Sequence, residues 1–139
     1  MKDKCFVDTN ILIYLYSVDE VEKRETIEKV LEQENQAIIS TQVINEFINV
    51  MLKKKRTNFI EISKAIKEFS AYFEIVDIKL TTIEQAIFVA DKYHYSYFDS
   101  LIISAALENN CLLLYTEDLH SGQLVENRLK IINPFQEIS

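Results

Sequence analysis

Four carboxylates stand at positions where this sequence would be expected to bury them. Asp8 and Asp118 each follow a short apolar run that predicts a buried strand, and Glu46 and Asp99 lie in helical patterns beside apolar side chains. An unpaired buried carboxylate costs several kcal/mol. The sequence offers no obvious matching set of basic partners for these four acids. We therefore expect a divalent cation to supply the missing positive charge.

The oxygen-only character of these side chains favours Mg²⁺ or Mn²⁺. Both are hard cations that take oxygen ligands and often keep several bound waters. Such an ion lowers the pKa of water and stabilises charge that builds on a phosphoryl oxygen, and two ions about 3.5–4 Å apart could clamp both reacting oxygens. The expected chemistry is therefore the hydrolysis of a phosphodiester.

Asp8 and Glu46 also have ordinary structural interpretations. Asp8 precedes a helical pattern and could serve as its N-cap. Glu46 lies at the border of an apolar helix face, where it could bond to Gln42 or Asn49. Taken singly, either acid could be structural.

Asp99 and Asp118 have such alternatives too. Asp99 points with the apolar face of its helix, but Ser96-x-x-Asp99 is also a capping-box spacing, in which Asp99 binds the backbone of Ser96. Asp118 could form an Asx turn at the end of a strand. Its neighbour Glu117 is a possible fifth acid, although we expect it to face solvent. Thr116 could bond to an acid or to a substrate phosphate.

The elements that must position these acids alternate along the chain. Short apolar segments predict strands at 4–8, 37–39, 75–78, 111–115 and 129–132. Helical patterns fill 9–17, 20–34, 41–56, 58–72, the stretch from the capping-box signature Thr81-x-x-Glu84 to about Tyr95, and 97–109. This alternation predicts a three-layer α/β domain, with a central parallel sheet of about five short strands flanked by helices. Asp8 and Asp118 would face each other if the first and fourth strands are neighbours at the reversal of strand order.

Length and charge restrict the remaining possibilities. The 139 residues predict one domain over 1–139. The formal charge of −7 argues weakly against a broad nucleic-acid surface. The basic run 53–56 could form a local patch, or simply end a helix. The aromatic segment 93–98 could stack on bases, or pack in the core.

The sequence gives no sign of export or of membrane insertion. No apolar stretch approaches the ~20 residues of a membrane helix, and the N-terminus does not resemble a signal peptide, so we expect a cytoplasmic protein. Cys5, Cys111, His94 and His120 do not form a zinc pattern. We interpret the two cysteines as buried thiols.

The motifs together resemble the PIN-domain nucleases, and most closely the VapC-like toxins of bacterial toxin–antitoxin pairs. The resemblance covers nearly the whole chain. It rests on Val7-Asp8-Thr9-Asn10-Ile11-Leu12, Asn45-Glu46, the segment from Tyr97-Phe98-Asp99 to Ala106, Thr116-Glu117-Asp118-Leu119 and Asn133-Pro134-Phe135.

The resemblance implies roles for individual residues. It makes Asp8, Glu46, Asp99 and Asp118 an acidic quartet that holds Mg²⁺ or Mn²⁺. Asp8 and Asp99 would be the most direct ligands, and Asp118 is the more variable member. Thr9, Asn10 and Thr116 would be supporting polar residues. The implied activity is an endoribonuclease toxin that cuts single-stranded or looped RNA, often tRNA or rRNA. A homodimer is implied, as is a cognate antitoxin whose C-terminal segment covers the active site.

Other classes fit the pattern less well. A phosphoacceptor receiver module needs an acid pair after its first strand, and a haloacid-dehalogenase-like phosphatase needs Asp-x-Asp where this chain has Asp8-Thr9-Asn10. A non-catalytic protein of the same fold, binding RNA or a partner, remains an alternative. Metal-dependent cleavage would distinguish it from a nuclease.

Overall fold

A mostly parallel sheet flanked by helices organises the chain. The computed structural model describes residues 3–34 and 36–136. Within these ranges the strands are β1 Lys4–Val7, β2 Gln36–Ser40, β3 Glu74–Val76, β4 Leu113–Tyr115, β5 Leu124–Val125 and β6 Leu129–Ile132. The helices are α1 Thr9–Leu15, α2 Val21–Glu32, α3 Thr41–Lys53, α4 Phe59–Tyr72, α5 Leu80–Tyr93 and α6 Tyr97–Glu108.

The strand order reverses beside β1. The sheet order is β3-β2-β1-β4-β6-β5, so the chain first builds outward from β1 to β3 and then returns to place β4 on the other side of β1. Parallel pairing aligns Val7 with Tyr115. The Asp8 N–H extends this pairing by donating to the Tyr115 carbonyl at 3.0 Å. The first and fourth strands are therefore neighbours, which is the condition under which Asp8 and Asp118 were expected to face each other, and a crevice lies at their carboxyl ends.

The predicted α/β architecture is confirmed, with one strand more than expected among the described residues. The additional strand, β5, pairs antiparallel with β6. It was missed because it has only two residues and its turn contains no glycine. Glu126 instead adopts a φ of 51°, a left-handed conformation that Glu seldom adopts and that sequence patterns assign mainly to Gly and Asn.

The predicted cap of α5 was wrong. The helix begins at Leu80, ahead of the expected Thr81-x-x-Glu84 signature. The Lys79 N–H donates to Thr82 Oγ1 at 3.1 Å, and the Thr82 hydroxyl also bonds to Glu108 of α6. Tertiary contact with α6 thus sets the start of α5 earlier than the local signature indicated.

The basic run 53–56 and the two cysteines lie where their structural interpretations predicted. The run 53–56 is exposed at the C-terminal end of α3, as its structural alternative predicted. Cys5 and Cys111 are buried thiols, and burial raises the pKa of Cys111 to about 12. No helix in the described residues is long and apolar enough to cross a bilayer.

Phe47 of α3 anchors an aromatic cluster under the helices. It is fully buried, and its ring lies 5.0 Å from that of Phe69 and 6.1 Å from that of Tyr16 in edge-on arrangements. These contacts hold α3, the helix that carries Glu46, against α4 and the end of α1.

We predict that Phe47→Ala lowers the free energy of unfolding by about 3–5 kcal/mol, because it removes buried surface and leaves a cavity. Urea denaturation measures this. Phe59→Ala is the matched control, since Phe59 is 70% exposed and its loss should change stability by less than about 0.5 kcal/mol. Equal effects of the two substitutions would contradict the assigned core.

Candidate active site

Asp8 lies where β1 turns into α1, and it is only 6% exposed. Its Oδ1 accepts a hydrogen bond from the Thr9 N–H at 2.7 Å, and its Oδ2 accepts one from the Thr116 hydroxyl at 2.8 Å. Asp8 therefore is the N-cap of α1, as its structural interpretation predicted. It also lies in the crevice at the strand reversal, so the two interpretations are compatible.

The environment of Asp8 disfavours its negative charge. Burial raises its pKa from 3.8 to about 6, although the hydrogen bonds from Thr116 and Thr9 oppose that rise. The negative charges of Glu46 and Asp99 raise the pKa further. These three acids, which come from the β1–α1 junction, α3 and α6, therefore interact through space.

Glu46 is half-buried on α3 and linked to Asp8 through one side chain. Its Oε2 accepts a hydrogen bond from the Thr9 hydroxyl at 2.7 Å, while the Thr9 N–H bonds to Asp8. Its Oε1 accepts a bond from Gln42 Nε2 at 2.9 Å, as the structural alternative predicted. Thr9 thus fixes the relative positions of two of the predicted site residues.

Asp99 lies in the first turn of α6. Its N–H donates to Ser96 Oγ at 3.2 Å, so Ser96 caps the helix. The reciprocal bond from the Ser96 backbone to the Asp99 carboxylate, which the capping-box alternative requires, is not found in the described residues. The carboxylate is thus left available, and the following Ser100 hydroxyl is buried without a hydrogen-bond partner.

Asp118 is the exposed member of the four. Its Oδ2 accepts a hydrogen bond from Asn10 Nδ2 at 2.7 Å, which ties it to α1. The expected Asx turn is replaced by a turn that Thr116 makes, because Thr116 Oγ1 accepts from the Asp118 N–H at 3.2 Å. Thr116 therefore joins Asp8 to the backbone of Asp118.

The expectation that Glu117 faces solvent was wrong. Its side chain is 29% exposed and accepts hydrogen bonds from Tyr14 and Lys23 at 2.7 and 2.9 Å. No motif in the sequence indicated that Lys23 lies near Glu117. Tyr14 lies four residues after Asn10 on α1, a spacing that places both residues on one helix face. This spacing could have indicated that Tyr14 lies near the candidate site.

The donor set suits a hard cation, although its side chains are not gathered into a ligand sphere. Within 3–34 and 36–136, no group of three or more His, Cys, Asp or Glu side chains is arranged to hold a metal ion. Glu46 and Asp118 are turned towards Thr9 and Asn10 instead. The four ion pairs of the described residues include none of the quartet. The excess of carboxylate oxygens without basic partners fits Mg²⁺ or Mn²⁺ in chemistry and charge.

Comparison with known proteins identifies the family of the chain. The sequence matches the PIN-domain family over residues 5–123. The chain belongs to the PIN-domain family. No curated protein matches it.

Solved structures of other PIN-like chains share the fold. A toxin–antitoxin complex from Klebsiella pneumoniae aligns with a TM-score of 0.71 at 21% identity, covering 96% of this chain and 99% of that one. VapC20 of Mycobacterium tuberculosis, a sarcin–ricin loop-cleaving toxin, aligns with a TM-score of 0.67 at 17% identity, covering 82% and 89%. VapBC2 of Rickettsia felis, bound to promoter DNA, aligns with a TM-score of 0.67 at 19% identity, covering 94% and 99%. At these identities the likeness concerns the fold.

We predict that Asp8→Asn stabilises the metal-free protein at neutral pH by on the order of 2 kcal/mol, because it removes a buried charge whose pKa is raised. The folded-state pKa of about 6 lies above the ordinary 3.8. Ionisation of Asp8 therefore opposes folding increasingly as pH rises from about 4 to 6, and levels off above.

Melting temperatures measured in chelator between pH 4 and pH 8 test this. The advantage of Asp8→Asn over the wild type should be small at pH 4 and reach its full size by pH 7. Asp91→Asn, which changes an exposed acid of α5, should show no such trend. An Asp8→Asn protein less stable than the wild type at pH 7 would contradict the assigned burial.

Proposed function

We propose that this PIN-domain chain is a Mg²⁺- or Mn²⁺-dependent endoribonuclease that hydrolyses RNA phosphodiesters, and that it is the toxin of a toxin–antitoxin pair. One observation carries the proposal. Asp8 is a buried carboxylate at the strand reversal, the negative charges of Glu46 and Asp99 act on it, and no basic side chain in the described residues pairs with it. A bound cation would relieve the repulsion among these acids.

In this proposal Asp8 and Asp99 hold the ion most directly, and Glu46 and Asp118 complete the site. A divalent cation bound there would lower the pKa of water and neutralise charge on a phosphoryl oxygen. In the reaction, a water oxygen bonds to the RNA phosphorus while the bond from phosphorus to one ribose oxygen breaks. The attacking water loses a proton and the departing ribose oxygen takes one up, so the products are a phosphate monoester and a free hydroxyl.

The supporting residues act by orienting the acids. Thr116 and the Thr9 N–H each bind one oxygen of Asp8, so its carboxylate plane is fixed. The Thr9 hydroxyl holds Glu46, and Asn10 holds Asp118. Holding ligands in place through such second hydrogen bonds typically contributes tenfold or more to metal affinity or activity.

The family and the similar structures support a proposal for the partners of this chain. We propose an RNA substrate, with tRNA or rRNA as the classes that the resemblance implies, a cognate antitoxin, and a homodimer. The similar Klebsiella pneumoniae structure is a toxin–antitoxin complex, and the similar Mycobacterium tuberculosis protein cleaves the sarcin–ricin loop. The net charge of −7 favours recognition of RNA through a few contacts near the site over a broad basic surface.

The extent of the domain and the cellular location of the protein are two further expectations from the sequence. We propose that residues 1–139 form one nuclease domain, which is supported by a sheet whose strands run from Lys4 to Ile132. The cytoplasmic location expected from the sequence stays a prediction.

A non-catalytic PIN-fold protein that binds RNA or a partner is the second candidate. One observation favours it: the acids of the described residues are not already gathered around a metal position. Metal-dependent cleavage of RNA would distinguish the two candidates.

We predict that purified, partner-free protein cleaves RNA into discrete fragments with Mn²⁺ or Mg²⁺ and not with EDTA. Asp99→Asn should lower the cleavage rate by at least about a hundredfold, because it removes a ligand charge without removing core packing. Fragment lengths from total RNA on a sequencing gel measure both effects. Asp91→Asn, an exposed acid outside the site, is the matched control.

Metal binding without cleavage would redirect the search to a specific RNA substrate. Neither metal binding nor cleavage would favour the non-catalytic candidate. Cleavage by Asp99→Asn at the wild-type rate would contradict the proposed site.

A further inference from the structure

Glu117 lies between two site residues but points away from them into a cluster of its own. Both carboxylate oxygens are occupied, since Oε1 accepts from the Tyr14 hydroxyl at 2.7 Å and Oε2 accepts from Lys23 Nζ at 2.9 Å. Lys23 Nζ also donates to the Tyr14 hydroxyl at 3.0 Å. We name these three side chains the Lys23–Tyr14–Glu117 clamp.

Aromatic rings hold the lysine of the clamp in place. Lys23 Nζ lies 4.3 Å from the centroid of the Tyr14 ring and 5.0 Å from that of Phe135. The two rings meet edge to face at 5.3 Å. The ammonium is therefore bounded by two rings, a hydroxyl and a carboxylate, which restricts it more than a typical surface ion pair.

The clamp fixes the turn that carries Thr116 and Asp118. The Glu117 N–H donates to Asn10 Oδ1 at 3.4 Å, and Asn10 Nδ2 donates to Asp118. Thr116 Oγ1 bridges Asp8 and the Asp118 N–H. The side chain of Glu117 thus attaches this turn to α1 and α2. The backbone of Glu117 and the neighbouring Thr116 attach the same turn to Asn10 and Asp8.

We propose that Glu117 is a positioning residue, and that the Lys23–Tyr14–Glu117 clamp sets the place of Thr116 and Asp118 relative to Asp8. Its role in metal binding rests on the proposed function. Glu117 is not a ligand in this account, because its oxygens are directed to Tyr14 and Lys23. The clamp connects α2, an element that carries no site acid, to the geometry of the site.

A second cluster with the same chemistry provides a matched control. Glu126 accepts hydrogen bonds from Lys92 at 2.6 Å and from the Tyr93 hydroxyl at 2.8 Å. Its side chain is 29% exposed, the same as that of Glu117. Like Glu117 it sits in a turn, but that turn joins β5 to β6 and carries none of the quartet.

The experiment compares Glu117→Ala, Glu117→Gln and Glu126→Ala in the full chain. Amide hydrogen exchange of metal-free protein reports the turn itself, and Mn²⁺ titration calorimetry reports the consequence. We expect Glu117→Ala to speed exchange of the Glu117 and Asp118 amides at least about tenfold and to weaken Mn²⁺ affinity about tenfold. Glu117→Gln keeps an acceptor for Tyr14 and should give a smaller effect on both. Glu126→Ala should change neither.

Two results would overturn the positioning role. One is unchanged exchange of the Glu117 and Asp118 amides in a folded Glu117→Ala protein. The other is restoration of Mn²⁺ affinity when Lys23→Met is added to Glu117→Gln, which would mean that the unpaired lysine charge caused the loss. If the wild type binds no Mn²⁺, the proposed function fails, and the exchange data alone decide whether the clamp positions the turn.

Discussion

The buried negative charge of Asp8 is the constraint on which the candidate site depends. It lies at the carboxyl end of β1, where the strand order reverses between β1 and β4 and a crevice opens. The Asp8 N–H continues the pairing with β4, so the side chain is held at the mouth of the sheet. The charges of Glu46 and Asp99 act on Asp8 through space. Thr116 joins Asp8 to the backbone of Asp118.

The burial of apolar side chains elsewhere in β1 and α1 offsets the cost of placing this charge in the protein interior. Phe6 and Val7 of β1 and Ile11 and Leu12 of α1 are fully buried on either side of it. Their burial favours folding by roughly 1.5–3 kcal/mol for each large side chain. The charge of Asp8 therefore lowers the stability of the metal-free protein, and the same charge attracts a cation to the site.

The sequence predicted most of the architecture because its strands are short, apolar and separated by amphipathic helices. It failed where tertiary contacts override local signals. Thr82 bonds to Glu108 of α6, and α5 begins earlier than its local signature indicated. β5 has only two residues, too few for an alternating pattern of apolar and polar side chains to be recognised. The acids themselves could be named from their positions after strands and on helix faces. The orientation of Glu117 could not be predicted, because Glu117 lies in the turn after β4 and its partner Lys23 lies on α2, at a separation in sequence that no periodicity encodes.

A crystal structure of the protein grown with Mn²⁺, with anomalous data collected near the manganese edge, would show whether the four acids bind a metal ion. We expect an anomalous peak in the crevice between Asp8 and Asp99, roughly 2.0–2.3 Å from a carboxylate oxygen of each, that disappears from crystals grown with chelator. Glu46 and Asp118 should keep their hydrogen bonds to Thr9 and Asn10, and reach the ion through another carboxylate oxygen or through water. An empty crevice, with manganese bound only at other surface acids, would contradict the claim that this quartet is a metal centre.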